Sequence, residues 1–341
     1  MSKNIVTFGE IMMRLATPGH LRFIQSNHLE MTFGGGEANV AVSLSLFGHH
    51  AALVTRLPSN PLGDTCEARL KMTGVDTRHI LRGGERLGIY FLETGASQRA
   101  STVTYDRAHS SISTINPADL DWEKIFEGVD WFHFTGITPA LSEEAAQATL
   151  SAAQAARQRG IQVSCDLNFR KKLWSTAQAQ ETMSKIVPFV DVCIANEEDA
   201  EKVFGIKAGS TAVESGQLDH QRYVEVAEQL TTRFGFASVA ITLRESISAS
   251  RNGWSAMLYT GGQAHFSKRY DITIVDRVGG GDSFAAGLID QLVQGIEPAT
   301  AIEFAVAASC LKHSILGDFN YVSRSEVAAL MSGDGSGRVQ R

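Results

Sequence analysis

Three consecutive glycines, Gly279-Gly280-Gly281, run directly into Asp282, after the apolar end of a strand pattern and before an amphipathic helix pattern. Such a turn can aim several backbone amides at one point beside the positive end of a helix, where an anion is held. Glycine is needed there because a side chain would keep a phosphate from approaching the backbone. A carboxylate at the start of that helix can take the proton of an attacking hydroxyl. It can equally cap the helix after a flexible turn, and spacing alone does not choose between the two.

Other segments add chemistry. Phe33-Gly34-Gly35-Gly36-Glu37-Ala38-Asn39 opens a helix pattern that stops at Gly48. A dinucleotide fingerprint would need a third spaced glycine where Asn39 stands and a distal acid, so nicotinamide binding is disfavoured. No Walker A sequence occurs, which excludes a P-loop kinase. Asn196-Glu197-Glu198-Asp199 follows a strand pattern at 190–195 and reads as a helix cap with an acidic first turn, as the helix dipole favours. Arg107 and Arg170 carry planar forks suited to a carboxylate, and Arg170 lies just past a strand pattern at 163–166, the end at which open α/β sheets bind ligands. Either arginine can instead be a surface residue, and Tyr90 and Tyr105 can simply pack in a small sheet.

The glycine turn, with Asp276 and Phe284 flanking it, resembles the GAGD signature of the ribokinase-like (PfkB) carbohydrate kinases, with Gly280 where alanine is usual. The run from Phe33 to Ala41 resembles that family's first signature, and Asn196 to Asp199 its NxxE motif, with Asp199 replacing glutamate. The resemblance extends from Gly9 to about Arg324. It is closest to the 2-keto-3-deoxygluconate kinases, through Gly9-Glu10-Ile11-Met12 with Arg14, Asp166-Leu167-Asn168-Phe169-Arg170, Leu311-Lys312-His313 and Gly317-Asp318-Phe319-Asn320.

This resemblance implies transfer of the terminal phosphate of ATP to the 6-hydroxyl of 2-keto-3-deoxygluconate. Asp282 would be the base, and Gly279, Gly280 and Gly281 the anion hole. The sugar acid would meet Gly34, Gly35, Asn39, Tyr90, Tyr105, Arg107, the backbone at Ile137, Arg170 and Asp318. ATP would border Asn196, Thr242, Arg244, Glu245, Gly279 and Gly281, with Ser309 and His313 near adenine. Mg²⁺ would be held through water by Asn196 and Asp199, and a monovalent cation such as K⁺ beside the glycine turn stays open. Arg244 and Glu245 stand where the family often has glycine in its nucleotide loop. The alternatives are a kinase of a neutral sugar or nucleoside, and a non-catalytic sugar-acid-binding protein on the same fold.

The elements that must position these residues are legible as a rhythm. Strand patterns at 131–135, 163–166, 190–195 and 238–242 alternate with helix patterns at 143–159, 197–204 and 223–234, which predicts an α/β fold with a mostly parallel central sheet and helices on both faces. Short strands at 88–93 and 102–105 leave no room for a crossover helix and read as an antiparallel hairpin. Taken with the resemblance, residues 1–331 are expected to form one ribokinase-like kinase domain with a small β-sheet lid from about 11–33 and 83–110. Residues 207–220 read as a surface loop and 332–341 as a disordered tail.

Composition closes off other classes. The formal charge of −6 disfavours a nucleic-acid partner, which needs a concentrated basic face. No apolar run approaches the roughly 20 residues of a membrane span. The start of the chain lacks a secretory pattern, and the four cysteines show no paired metal-ligand spacing, so a cytoplasmic protein with buried thiols is expected. An exposed lid face also predicts a homodimer or higher homo-oligomer.

Overall fold

A computed structural model describes residues 1–196, 198–206, 220–333 and 335. The strands in chain order are β1 Asn4–Phe8, β2 Met12–Ala16, β3 Glu30–Gly34, β4 His50–Leu57, β5 Ile80–Arg82, β6 Ile89–Glu93, β7 Thr102–Asp106, β8 Trp131–Thr135, β9 Gln162–Asp166, β10 Val192–Ala195, β11 Ser238–Ser246, β12 Arg251–Thr260, β13 Gln263–Phe266 and β14 Tyr270–Thr273. The helices are α1 Gly36–Leu46, α2 Pro61–Met72, α3 Trp122–Ile125, α4 Glu143–Gln158, α5 Thr176–Ile186, α6 Asp199–Phe204, α7 His220–Phe234, α8 Gly280–Leu292, α9 Pro298–Lys312 and α10 Arg324–Met331.

Ten strands form the main sheet in the order β13-β12-β11-β10-β9-β8-β1-β4-β5, with β14 also paired to β12. The strands from β11 through β5 in that order run parallel, and β12 to β14 add an antiparallel edge. Adjacent residues of one strand enter different cores, as a pleated strand requires. Val6 packs in the cluster with Ala148, Met183 and Leu230, whereas Ile5 packs in the one with Val42, Leu288 and Ala305. Helices therefore cover both faces, and the strands read as continuous apolar runs because neither face meets water. The helix ends are set locally: Ser142 caps α4 through Ala145 N, and Ser175 and Ser323 form capping boxes with Gln178 and Glu326.

A second sheet of four strands has the order β3-β2-β6-β7. Its outer pairs are antiparallel, but β2 and β6 at its centre are parallel. The antiparallel hairpin expected at 88–105 is present as β6 and β7, with Tyr90 opposite Tyr105.

Two expectations shift. The segment from Thr242 to Ser246 is not a loop: without glycine it stays extended as the end of β11, paired with β12 from Thr242 opposite Ala256 to Ser246 opposite Asn252. No strand leads directly into the glycine turn, because β14 ends at Thr273 and the amides of Val275 and Asp276 both turn to His313 O, at 2.8 and 3.2 Å. The loop expected at 207–220 falls outside the described residues except for His220, which opens α7, and most of the tail, 334 and 336–341, also lies outside them. No helix among the described residues is long and apolar enough to cross a membrane. Cys66, Cys165 and Cys193 are buried free thiols, and Cys310 is partly exposed.

Candidate active site

The register of the parallel strands brings their C-terminal ends into one line, with Thr135 opposite Asp166, Asp166 opposite Ile194, and Ala195 opposite Ile241. A cleft of about 770 Å³ opens above that line and is walled on the other side by the small sheet. Gly34, Gly35, Asn39, Tyr90, Tyr105, Arg107, Ile137, Arg170 and Asp318 all line it, as do Asn196, Asp199, Thr242, Arg244, Gly279, Gly280, Gly281 and Asp282. Three residues expected at the nucleotide, Glu245, Ser309 and His313, are not on its surface.

The glycine turn forms the start of α8. Gly279 is the helix cap in the left-handed region, φ 84° and ψ 0°, and a Cβ on it would fall 2.1 Å from Asp318 O. Gly280 has a different constraint: a Cβ there would stand 2.7 Å from His313 Cε1. The His313 ring is fixed by its Nδ1, which donates to Ser309 O at 2.7 Å, and by the Trp254 ring at 5.3 Å. Ser309 Oγ in turn donates to Gly280 O at 2.7 Å. Ser309 and His313 thus buttress the turn from behind, and His313 occupies the space an alanine methyl would fill. Gly281 meets nothing within 4 Å and leaves the turn open to the cleft.

Asp282 follows in the first turn of α8, at the floor of the cleft. Asn39 Nδ2, from the first turn of α1, donates to its Oδ2 at 2.6 Å, and Asn39 Oδ1 accepts from Gly35 N at 3.3 Å. Two helix N-termini therefore converge on one carboxylate. Burial pushes its pKa up to about 6, against the pull of the Asn39 hydrogen bond and the charges of Arg170 and Lys312. A carboxyl poised near neutrality suits a general base. Beneath it, the buried Glu37 accepts from Thr135 N, Thr135 Oγ1 and Thr138 Oγ1 at 2.9, 2.8 and 2.6 Å, tying α1 to the end of β8.

On the opposite wall, Asp318 is fixed by Tyr90 Oη, 2.6 Å from both carboxylate oxygens, and by Arg14 Nη1 at 3.0 Å. Arg14 also reaches Asp276 at 2.6 Å, and all three charged side chains are buried. Arg107 is already paired with Glu10, which Ser110 Oγ also contacts at 2.6 Å. Arg170 is exposed, donates only to Phe169 O at 3.4 Å, and pairs with no carboxylate among the described residues.

At the other end of the cleft, strand alternation sorts the β11 residues. Thr242 and Arg244 face the cleft, whereas Glu245 is held by the Arg269 guanidinium at 2.9 Å. Lys202 and Arg277, which carried no sequence expectation, join Arg244 on this wall. Three cations and the open side of Gly281 fit the phosphates of a nucleotide. Asn196 Oδ1 accepts from the amides of Glu198 and Asp199 at 2.9 and 3.1 Å, so the capping contacts exist. The Asp199 oxygens accept from Phe169 N and Asn196 N at 3.1 and 3.2 Å, and burial raises the carboxyl's pKa. No group of three or more His, Cys, Asp or Glu side chains able to hold a metal is present among the described residues; Asn196 and Asp199 offer oxygen donors on the cleft wall, the ligand type that Mg²⁺ takes alongside its waters.

The model of the pfkB family carbohydrate kinases matches residues 2–317. The chain belongs to this family. The kinase is 32% identical to a 2-dehydro-3-deoxygalactonokinase of Haloferax volcanii over 337 residues, 99% of each chain. It is 51% identical to the solved 2-dehydro-3-deoxygluconokinase of Thermotoga maritima, with a TM-score of 0.93 over 98% of this chain and 99% of that one. A fructokinase of Xylella fastidiosa solved with bound ATP shares the fold at 19% identity, TM-score 0.79, over 98% of this chain and 99% of that one. The protein is thus an ATP-dependent carbohydrate kinase of ribokinase-like fold.

Proposed function

We propose that the kinase phosphorylates the 6-hydroxyl of 2-keto-3-deoxygluconate (2-dehydro-3-deoxygluconate), with Asp282 as general base. The observation that carries this reading is the position of the Asp282 carboxylate, held by Asn39 between the glycine turn and the sugar-side wall. Arg170, exposed at the cleft and paired with no carboxylate among the described residues, is available to a sugar acid's carboxylate. The names of the Haloferax and Thermotoga relatives support the same substrate class.

In this mechanism Tyr90, Asp318, Tyr105, Arg107, Arg170 and the backbone at Gly34, Gly35 and Ile137 hold the sugar acid. Asp282 Oδ1, the oxygen not engaged by Asn39, accepts the hydroxyl proton as the oxygen attacks the terminal phosphorus of ATP, whose bond to the bridging oxygen breaks to release ADP. The amides of Gly279 and Gly281 stabilise charge developing on the phosphoryl oxygens, the Gly280 amide being turned to Arg277 O at 3.3 Å, and Arg244 adds to it. Asn196 and Asp199 would hold Mg²⁺ through water, and the ion would supply positive charge to the nucleotide oxygens. The small sheet, from about 11–33 and 83–110, acts as a lid on a kinase domain of residues 1–331, excluding water during transfer. The protein works in the cytoplasm.

A neutral-sugar kinase is favoured by one observation, that Arg107 is already neutralised by Glu10. Steady-state kinetics of Arg107→Ala and Arg170→Ala on sugar acids and on fructose and ribose distinguish the two. Arg170→Ala is expected to lower kcat/KM for the sugar acid about 10- to 100-fold, the loss of one charge-assisted pair. Equal losses on neutral sugars would contradict the sugar-acid reading. Exposed Leu21, Phe23, Ile24 and Met31, on and beside the small sheet, support a homodimer; a sedimentation mass of one chain would contradict it.

A further inference from the structure

Lys312, the last residue of α9, is fully buried, which is rare for a lysine and leaves its charge unexplained by packing. Its Nζ donates to Ile315 O at 3.0 Å, and its Cε lies 3.3 Å from the place a Cβ on Gly279 would take. Ile315 begins the turn to Asp318, whose carbonyl packs against Gly279. The ammonium therefore sits directly behind the glycine turn, on the side away from the cleft. Burial lowers its pKa, while the charges of Asp276, Asp318 and Asp282 act to keep it protonated against the repulsion of Arg14. His313, its chain neighbour, is kept neutral by burial, its pKa lowered to about 4, and adds no second charge.

We infer that Lys312 is a positioning residue for phosphoryl transfer: its ammonium clamps the segment from Ile315 to Asp318 against Gly279 and supplies a fixed positive charge behind the anion hole. The inference rests on the proposal that the glycine turn and Asp282 carry the chemistry. A charge held in a dry site needs no reorganisation when the phosphoryl group develops its own, so it acts mainly on kcat. It also reaches Asp282, together with the other groups around that carboxylate, Asn39, Asp318 and Arg170. Because the Lys312 charge lowers the pKa of Asp282, its removal must raise that pKa, and a base that must be ionised then loses activity at a higher pH.

The test compares Lys312→Met, Lys312→Gln and Lys312→Arg with the unaltered kinase, in ATP-dependent ADP release with 2-keto-3-deoxygluconate and in thermal melting. Lys312→Met is expected to lower kcat about 100-fold, comparable with loss of one oxyanion donor, with the sugar KM nearly unchanged. The acid limb of its pH profile should move upward, and Lys312→Arg should recover part of kcat. If Lys312→Met loses its melting transition, Lys312→Gln, which can still donate to Ile315 O without the charge, carries the same expectation. A Gln variant with unaltered kcat and an unmoved acid limb overturns the inference. Asp282→Asn separates the failures: turnover retained there removes the base reading itself, whereas a dead Asp282→Asn beside a fully active Lys312→Gln removes only the role of Lys312.

Discussion

Replacing Asp282 with asparagine should abolish nearly all turnover while leaving ligand binding in place. General-base catalysis contributes roughly 100- to 10,000-fold, so kcat is expected to fall about 1,000-fold or more. The substitution keeps the shape of the side chain, and the glycine turn does not depend on the carboxylate for its conformation, because its contacts run through Ser309, His313 and Asp318. The KM values for ATP and sugar should therefore move little. The unaltered enzyme should show the same group in its pH profile. With the carboxyl's pKa pushed up to about 6, the base is ionised above that pH and kcat falls as pH drops through it. A non-catalytic sugar-acid-binding protein would bind ligand and show no change on this substitution, which single-turnover kinetics with calorimetric binding would reveal.

The second large effect concerns stability. Arg14 lies between Asp276 at 2.6 Å and Asp318 at 3.0 Å, with every partner buried. Arg14→Met would leave two buried carboxylates facing each other, with Lys312 a remaining cation whose charge acts on both. Removing one partner of a buried pair costs about 3 to 5 kcal/mol. For a chain of 341 residues that corresponds to a melting temperature lower by about 4 to 7 °C. Asp318 would also lose a partner that fixes it in the cleft, so the sugar KM should rise. Lysine is a poor substitute, since one ammonium cannot span two carboxylates as a planar fork does. An unchanged melting curve for Arg14→Met would show that the network contributes little to folding.

These two results bear on what a sequence discloses. The glycine turn and Asp282 were readable because their chemistry is local: four adjacent residues carry it, and the turn, helix start and carboxylate follow from their order. Strand alternation would also have placed Glu245 away from the cleft once Thr242 to Ser246 was taken as extended, and the absence of glycine there was the available signal. The network at Arg14 had no such signal, because its partners lie 262 and 304 residues away and only the packing of the small sheet against the segment before α8 and the C-terminal turn brings them together. Resemblance set Ser309 and His313 near adenine, yet the structure places them behind the glycine turn and off the cleft surface, a distinction that depends on which face of α9 packs on α8. Lys312 was visible as a charge in an apolar helix, but nothing in the spacing told whether it pointed outward. The parallel pairing of β2 and β6 likewise arises from a long connection that leaves no local mark.

The measurement that bears most directly on the whole account is ADP release from ATP over a panel of sugar acids, with the phosphorylated position of the product assigned by phosphorus and proton NMR. Release that depends on 2-keto-3-deoxygluconate, with the ester on the 6-hydroxyl, is the expected result. Release driven by neutral sugars alone, or no release with any sugar acid despite binding, would contradict it.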